Sequence, residues 1–135
     1  MERGYIKVMS LITYRMKDKI LMPFACILTM PVLTVHSKVC DFVHTVTVTK
    51  EGRTLQVSIS TPCDHVKGID GLTLSVRDIV QVRDNPVLAR AQESGCSATC
   101  LVPCAIMNGC WLAAGMMASS LCKCAGPLTI EFTEP

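Results

Sequence analysis

Cys96, Cys100 and Cys104 follow one another at intervals of four, and Cys40 and Cys63 stand upstream of them. Thiols grouped in this way can hold a thiophilic metal, close a disulfide or attack an electrophile. All three depend on the thiolate form. A Cys-x3-Cys pair can set both sulfurs on one side of a helix start. It lacks the second matching pair of a zinc-finger knuckle. The ligand set expected from the spacing is Cys40, Cys63, Cys100 and Cys104, with His65 or Cys96 as substitutes.

The stretch Gly95–Leu121, GCSATCLVPCAIMNGCWLAAGMMASSL, must position three of these sulfurs. Pro103 suits the first turn of a helix, where its missing N–H has no partner to lose. No further proline and no charge occurs through Leu121. Ile106, Cys110, Ala113, Met117 and Leu121 recur at helical spacing, which predicts a largely buried helix from Cys104 to Leu121. Small residues at Gly109, Ala113, Ala114, Gly115 and Ala118 predict close packing on a sheet. Cys100 would then precede the helix and Cys104 would lie in its first turn, where free N–H groups and the dipole favour a thiolate.

The sheet is expected from residues 32–61. Val43–Thr49 alternates, as do Leu55, Val57 and Ile59 with Gln56, Ser58 and Ser60, and Lys50–Arg53 is turn-like. Cys40 and Cys63 lie at similar distances from that turn, which predicts that they meet at one end of the sheet. Pro62 ends the second strand. Asp64 is expected to cap a short helix through Ile69. His65 reads as a surface histidine that could also be a ligand or base, and His44 as lining a strand face.

Further along, Ser75 with Asp78 resembles a capping pair. Asn85-Pro86 starts a helix that Gly95 stops. Cys122-Lys123-Cys124 is expected in a turn about 25 Å from Cys104 at 1.5 Å per helical residue. Leu128–Phe132 alternates as a final strand beside the hairpin. The order β-β-α-α-α-β predicts an α+β domain: a small, mostly antiparallel sheet with two to three helices on one face.

Length and composition bound the rest. The 135 residues carry nine cysteines, 50% hydrophobic residues and 4% aromatics. One domain with an aliphatic, sulfur-rich core is expected. Nine is odd, so complete internal pairing is impossible, and a reducing, cytoplasmic compartment is expected. Residues 1–19 carry five positive and two negative side chains; against the overall +2, the remainder sums to −1. The charges of residues 77–93 alternate in sign. Neither gives a basic stripe, so nucleic-acid binding is disfavoured.

Residues 1–31 read as an appendage to a domain at 32–133. Their basic then apolar order, ending in ILMPFACILTMPVLTV at 20–35, resembles a signal or anchor. Two prolines and the short apolar length argue for an extension upstream of a start at Met22 or Met30, which ranks ahead of membrane contact. Cys26 is given no role.

Cys40-Asp41-Phe42, Cys63-Asp64-His65, Cys100-Leu101-Val102-Pro103-Cys104 and Leu112-Ala113-Ala114-Gly115, in this order, resemble a small uncharacterised prokaryotic family, largely from anaerobes. Its pattern is C-G-F, C-P-H, C-P-V-P and A-A-G-L. The resemblance spans roughly residues 32–132 and implies a domain starting near Met30. It implies roles for Cys40, Cys63 and Cys100, with Pro103 as helix starter, and no established activity. Asp41 stands where the pattern has glycine, and Asp64 and Leu101 where it has proline.

Three functions compete. The leading one is a zinc or iron–sulfur site. The second is thiol redox chemistry by Cys100 and Cys104, for which only His65 offers a base. The third is a structural or interaction domain with buried thiols, the reading expected for Cys110. No nucleophile elbow, phosphate loop, HExxH or dinucleotide fingerprint occurs, so the reading leans away from an enzyme and names no protein partner.

Overall fold

A computed structural model describes residues 30–134. Its α+β architecture agrees with expectation. Among these residues a four-stranded antiparallel sheet runs in the order β1 (Val32–Ser37), β2 (Phe42–Glu51), β3 (Thr54–Ser60), β4 (Thr73–Ser75). The helices are α1 (Asp64–Lys67), α2 (Pro86–Glu93), α3 (Val102–Ala113) and α4 (Ser119–Ala125), with a 3-10 turn at Val76–Ile79. The readings made for residues 1–29, Cys26 included, lie outside the described residues.

Alternation decides which face of the sheet is covered. Pairing sets Val46 opposite Ile59, Val48 opposite Val57 and Leu55 opposite Leu74. All six are buried on one face. The intervening Thr45, Thr47, Thr49, Gln56 and Ser58 line the other face, which no helix covers among the described residues. Val102, Ile106, Gly109, Cys110 and Ala113 of α3 lie against the apolar face, chiefly on β2. Each fully buried Val, Leu or Ile contributes roughly 1.5–3 kcal/mol of transfer free energy.

Gly109 is the point of closest approach. A Cβ built there would lie 2.8 Å from Leu33 Cδ1 and 3.0 Å from Val48 Cγ2. Trp111 fixes the outer side of α3 by donating its indole N–H to the Ile79 carbonyl at 2.6 Å.

Three expectations change. The helix predicted from Cys104 to Leu121 ends at Ala113, because Gly115 adopts φ +76, a left-handed conformation that closes a helix. Met117 and Leu121 therefore lie outside α3, and Leu121 is exposed on α4. Residues 128–132 form no strand, and Leu128, Ile130 and Phe132 are exposed. Both flanks of the β2–β3 hairpin are already taken, by β1 and β4. Those two strands are the third difference. β1 arises from the VLTVHS end of a stretch read as signal-like.

Two of the three capping expectations hold. Asp64 does not cap α1 but is its first residue, with Cys63 at the N-cap position, and the helix ends at Lys67 rather than Ile69. Ser75 donates its backbone N–H to Asp78 Oδ2 at 2.7 Å and its hydroxyl at 2.9 Å. Asn85 Oδ1 accepts from the Val87 and Leu88 N–H groups, and Gly95 stops α2 at φ +77. Asp41, in the β1–β2 turn, has φ +60. That conformation favours glycine, the residue that the resembled pattern carries at this point.

Candidate thiol site

Two connections bring Cys63 and Cys100 near Cys96. The first leaves β3 at Thr61, whose Oγ1 accepts the Cys63 N–H at 3.0 Å. The Cys63 carbonyl then accepts from Lys67 and opens α1. The second leaves α2 at Gly95. The Cys96 N–H bonds the Ala91 carbonyl at 2.9 Å, and the Cys100 N–H bonds the Ser97 carbonyl at 3.0 Å. Ser97 Oγ also accepts the Thr99 N–H. This tight turn sets Cys96 beside Cys100 just ahead of α3.

Cys63, Cys96 and Cys100 are half-buried and packed against the hydrophobic core. Burial pushes the Cys96 thiol up, the nearby Cys100 and Cys63 thiols push it the same way, and a side-chain hydrogen bond with Cys100 adds to this. Desolvation and like-charge repulsion both disfavour the Cys96 thiolate. Cys96 therefore resists ionising by itself and gains from a cation or a disulfide that replaces its proton.

The remaining expected ligands lie apart in environment. Cys40 is exposed in the β1–β2 turn, with Sγ 2.9 Å from Ser37 Oγ. That turn and the Cys63 loop share one end of the sheet, as the hairpin count predicted. Cys104 is in the first turn of α3 as expected, but exposed. Asn108 Nδ2 donates to its carbonyl at 2.9 Å and approaches its sulfur at 3.5 Å. As the side chains stand, no three His, Cys, Asp or Glu among the described residues form a group that could hold a metal ion.

His65, on α1, packs where α1 meets the end of α2. Its Nδ1 lies 3.0 Å from the Ser94 carbonyl oxygen, and its ring covers Gly95. A Cβ at Gly68 would collide with the Ser94 hydroxyl, which keeps these two segments close. Asp64 forms an exposed ion pair with Lys67 at 3.1 Å. Cys110 is buried at mid-helix, its thiol pushed up to about 12 by desolvation, as its core role predicts. Cys122 and Cys124 lie in α4 rather than in a turn. Two residues apart on a helix, they do not face one another.

Spacing alone ranks Cys96 only as a substitute ligand; the signal for its place is the Gly95 stop immediately before it, which bends the chain back. Among the described residues no helix is long and apolar enough to cross a membrane. A family model described as a family of unknown function matches residues 31–125. No curated protein and no solved structure matches the chain.

Proposed function

The chain belongs to this family of unknown function, DUF6951, and we propose that its cysteine-rich domain binds a thiophilic metal, as a zinc ion or an iron–sulfur cluster, through the thiolates of Cys63, Cys96 and Cys100. The observation that carries this reading is that half-buried Cys96 lies near both Cys63 and Cys100, and is hydrogen-bonded to Cys100, at the junction of two tight turns. Thiolate sets of this kind suit zinc and iron–sulfur centres. A cation offsets the repulsion that disfavours the Cys96 thiolate. Of the four ligands that spacing suggests, Cys63 and Cys100 remain in the set and Cys96 joins it. Cys40 and Cys104 are exposed and stand outside it. Free thiols suit a reducing compartment such as the cytoplasm.

A second reading draws on the Cys96–Cys100 hydrogen bond. Two touching thiols can close a disulfide by losing two protons and two electrons to a disulfide oxidant such as oxidised glutathione. The raised Cys96 thiol slows attack at neutral pH, so this reading ranks second.

Metal, acid-labile sulfide and free-thiol content of protein purified without oxygen distinguish the two. Stoichiometric zinc or iron in the parent protein, lost in Cys96→Ser and Cys100→Ser and retained in Cys122→Ser/Cys124→Ser, supports metal binding. Metal-free protein whose Cys96 and Cys100 pair on mild oxidation supports the redox reading. Metal-free protein with unreactive thiols overturns both.

A further inference from the structure

From Gly115 onward the described chain adds nothing to the core. No residue of α4 is buried, and a helix of seven residues is marginal in water without a packed face. Beyond it, Leu128, Ile130 and Phe132 are 75%, 74% and 74% exposed and alternate with Thr129, Glu131 and Thr133. This is the period-two pattern of a half-buried strand, yet the segment pairs with no strand among the described residues. The described residues also hold an open strand edge: β1 pairs with β2 on one side only. The Val48 N–H bonds the Pro31 carbonyl at 3.0 Å, which fixes a hydrogen-bonded position of that ladder. Such positions alternate in an antiparallel pair. Leu33, Val35 and Ser37 therefore turn their backbone groups to β2, and Val32, Thr34 and His36 turn theirs outward. Edges that must stay unpaired commonly carry charge or proline. Val32–Ser37 has no Lys, Arg, Asp, Glu or Pro.

We infer that two copies of this chain associate by exchanging C-terminal strands, the Leu128–Phe132 segment of each pairing with the open edge of β1 in the other. The occupant is a second copy because one chain carries both halves of the contact, a six-residue edge and a five-residue strand pattern, and leaves both unpaired. Pairing supplies partners for the outward N–H and C=O groups of Val32, Thr34 and His36. In the register that buries the apolar set, Leu128, Ile130 and Phe132 extend the core face beside Leu33 and Val35. Thr129 and Glu131 then join the threonine face. Main-chain bonds provide affinity in such strand addition, and the alternate side chains provide specificity. Gly126, at φ +69, and Pro127 end α4 and release the segment from the helix. Exchange gives two identical contacts about a two-fold axis and closes the assembly at a dimer. The inference is independent of the thiol-metal reading.

Sedimentation equilibrium of the full chain measures the association, with reductant present so that no cysteine cross-links two copies. Hydrogen exchange of the peptide covering β1 reports on the edge. The parent protein is expected at twice 14.7 kDa, with the outward amides of Val32, Thr34 and His36 protected. Ile130→Asp, at an exposed position, is expected to weaken the dimer ~10-fold or more and to unprotect those amides. Thr34→Pro removes an outward N–H without touching the β2 ladder and should act alike. Ile130→Asp decides the matter by itself if Thr34→Pro fails to fold. An equimolar mixture of the two variants keeps one intact edge and one intact tail, so it should associate more tightly than either variant alone. That recovery is specific to a tail on an edge and would not arise from β1 pairing with β1. A monomeric parent would overturn the inference, whether or not its β1 amides are protected. A dimer that both variants leave unchanged would overturn it equally.

Discussion

His44 Nδ1 lies 2.7 Å from Thr61 Oγ1, and the same oxygen accepts the Cys63 N–H. A buried imidazole on the inner face of β2 is thereby linked to the loop that carries the first site thiol. The Thr61→Val variant removes both hydrogen bonds and is expected to lose about 1–3 kcal/mol, read from urea unfolding by Trp111 fluorescence. A midpoint equal to the parent's would show that the link carries no stability.

The same histidine predicts a pH dependence. Burial holds the His44 pKa below 6.5. Above that value both folded and unfolded chains keep it neutral, and its contribution is fully present. As pH falls through 6.5, the unfolded chain binds a proton that the folded chain refuses, so stability declines until the folded pKa is reached. Urea midpoints should fall between about pH 7.5 and 5.5, with a shallower fall in His44→Gln. Equal slopes in parent and variant would assign the acid sensitivity elsewhere.

Thiol reactivity should follow burial. Cys40, Cys104 and Cys124 are exposed, and Cys110 is buried with its thiol pushed up to about 12. Brief alkylation of metal-free protein followed by peptide mass spectrometry should label the exposed three first. Cys110 should react only after unfolding. Early labelling of Cys110 would mean that α3 opens locally.

Gly109 gives a packing prediction. Alanine there gains about 1 kcal/mol of helix propensity. Its methyl must nevertheless displace Leu33 and press on the stiff Val48. Overpacking costs typically 1–3 kcal/mol, so Gly109→Ala should be destabilised slightly, by up to about 2 kcal/mol. Gly109→Val should be destabilised more. Stabilisation of both in thermal unfolding would mean that α3 stands further from β2.

Asn85 carries more than a cap. Its oxygen accepts two N–H groups of α2, and its Nδ2 donates to the Asp78 and Gln81 carbonyls at 3.0 and 2.8 Å. Asn85→Ala should cost about 2–4 kcal/mol, combining a lost cap with orphaned carbonyls. Asn85→Asp keeps the acceptor but loses both donors, so it should recover only part. Full recovery by aspartate would reduce the residue to a cap alone.

Local chemistry written in neighbouring residues was readable from the chain. Alternation gave the β2–β3 hairpin, Pro103 the start of α3, Ser75 with Asp78 and Asn85 with Pro86 their caps, and Gly95 the stop. Hairpin counting also set Cys40 and Cys63 at one end of the sheet. Such features depend on sterics and hydrogen bonds within a few positions.

What needed the tertiary structure was every choice between equivalent local patterns. Leu128–Phe132 alternates as well as Val32–Ser37 does, yet only the latter pairs with β2, since a strand has one partner on each edge. Gly115 could have stayed helical, but it turns left-handed where the sheet no longer supports α3. Cys96, Cys100 and Cys104 share one spacing. The turn after Gly95 folds the first two toward Cys63 and leaves Cys104 exposed on the first turn of α3. The sequence by itself determined that this is a thiol-rich α+β domain. Which thiols meet was decided by the packing of α1 against the end of α2, because side chains distant in sequence become neighbours only when burial of the shared core brings their segments together.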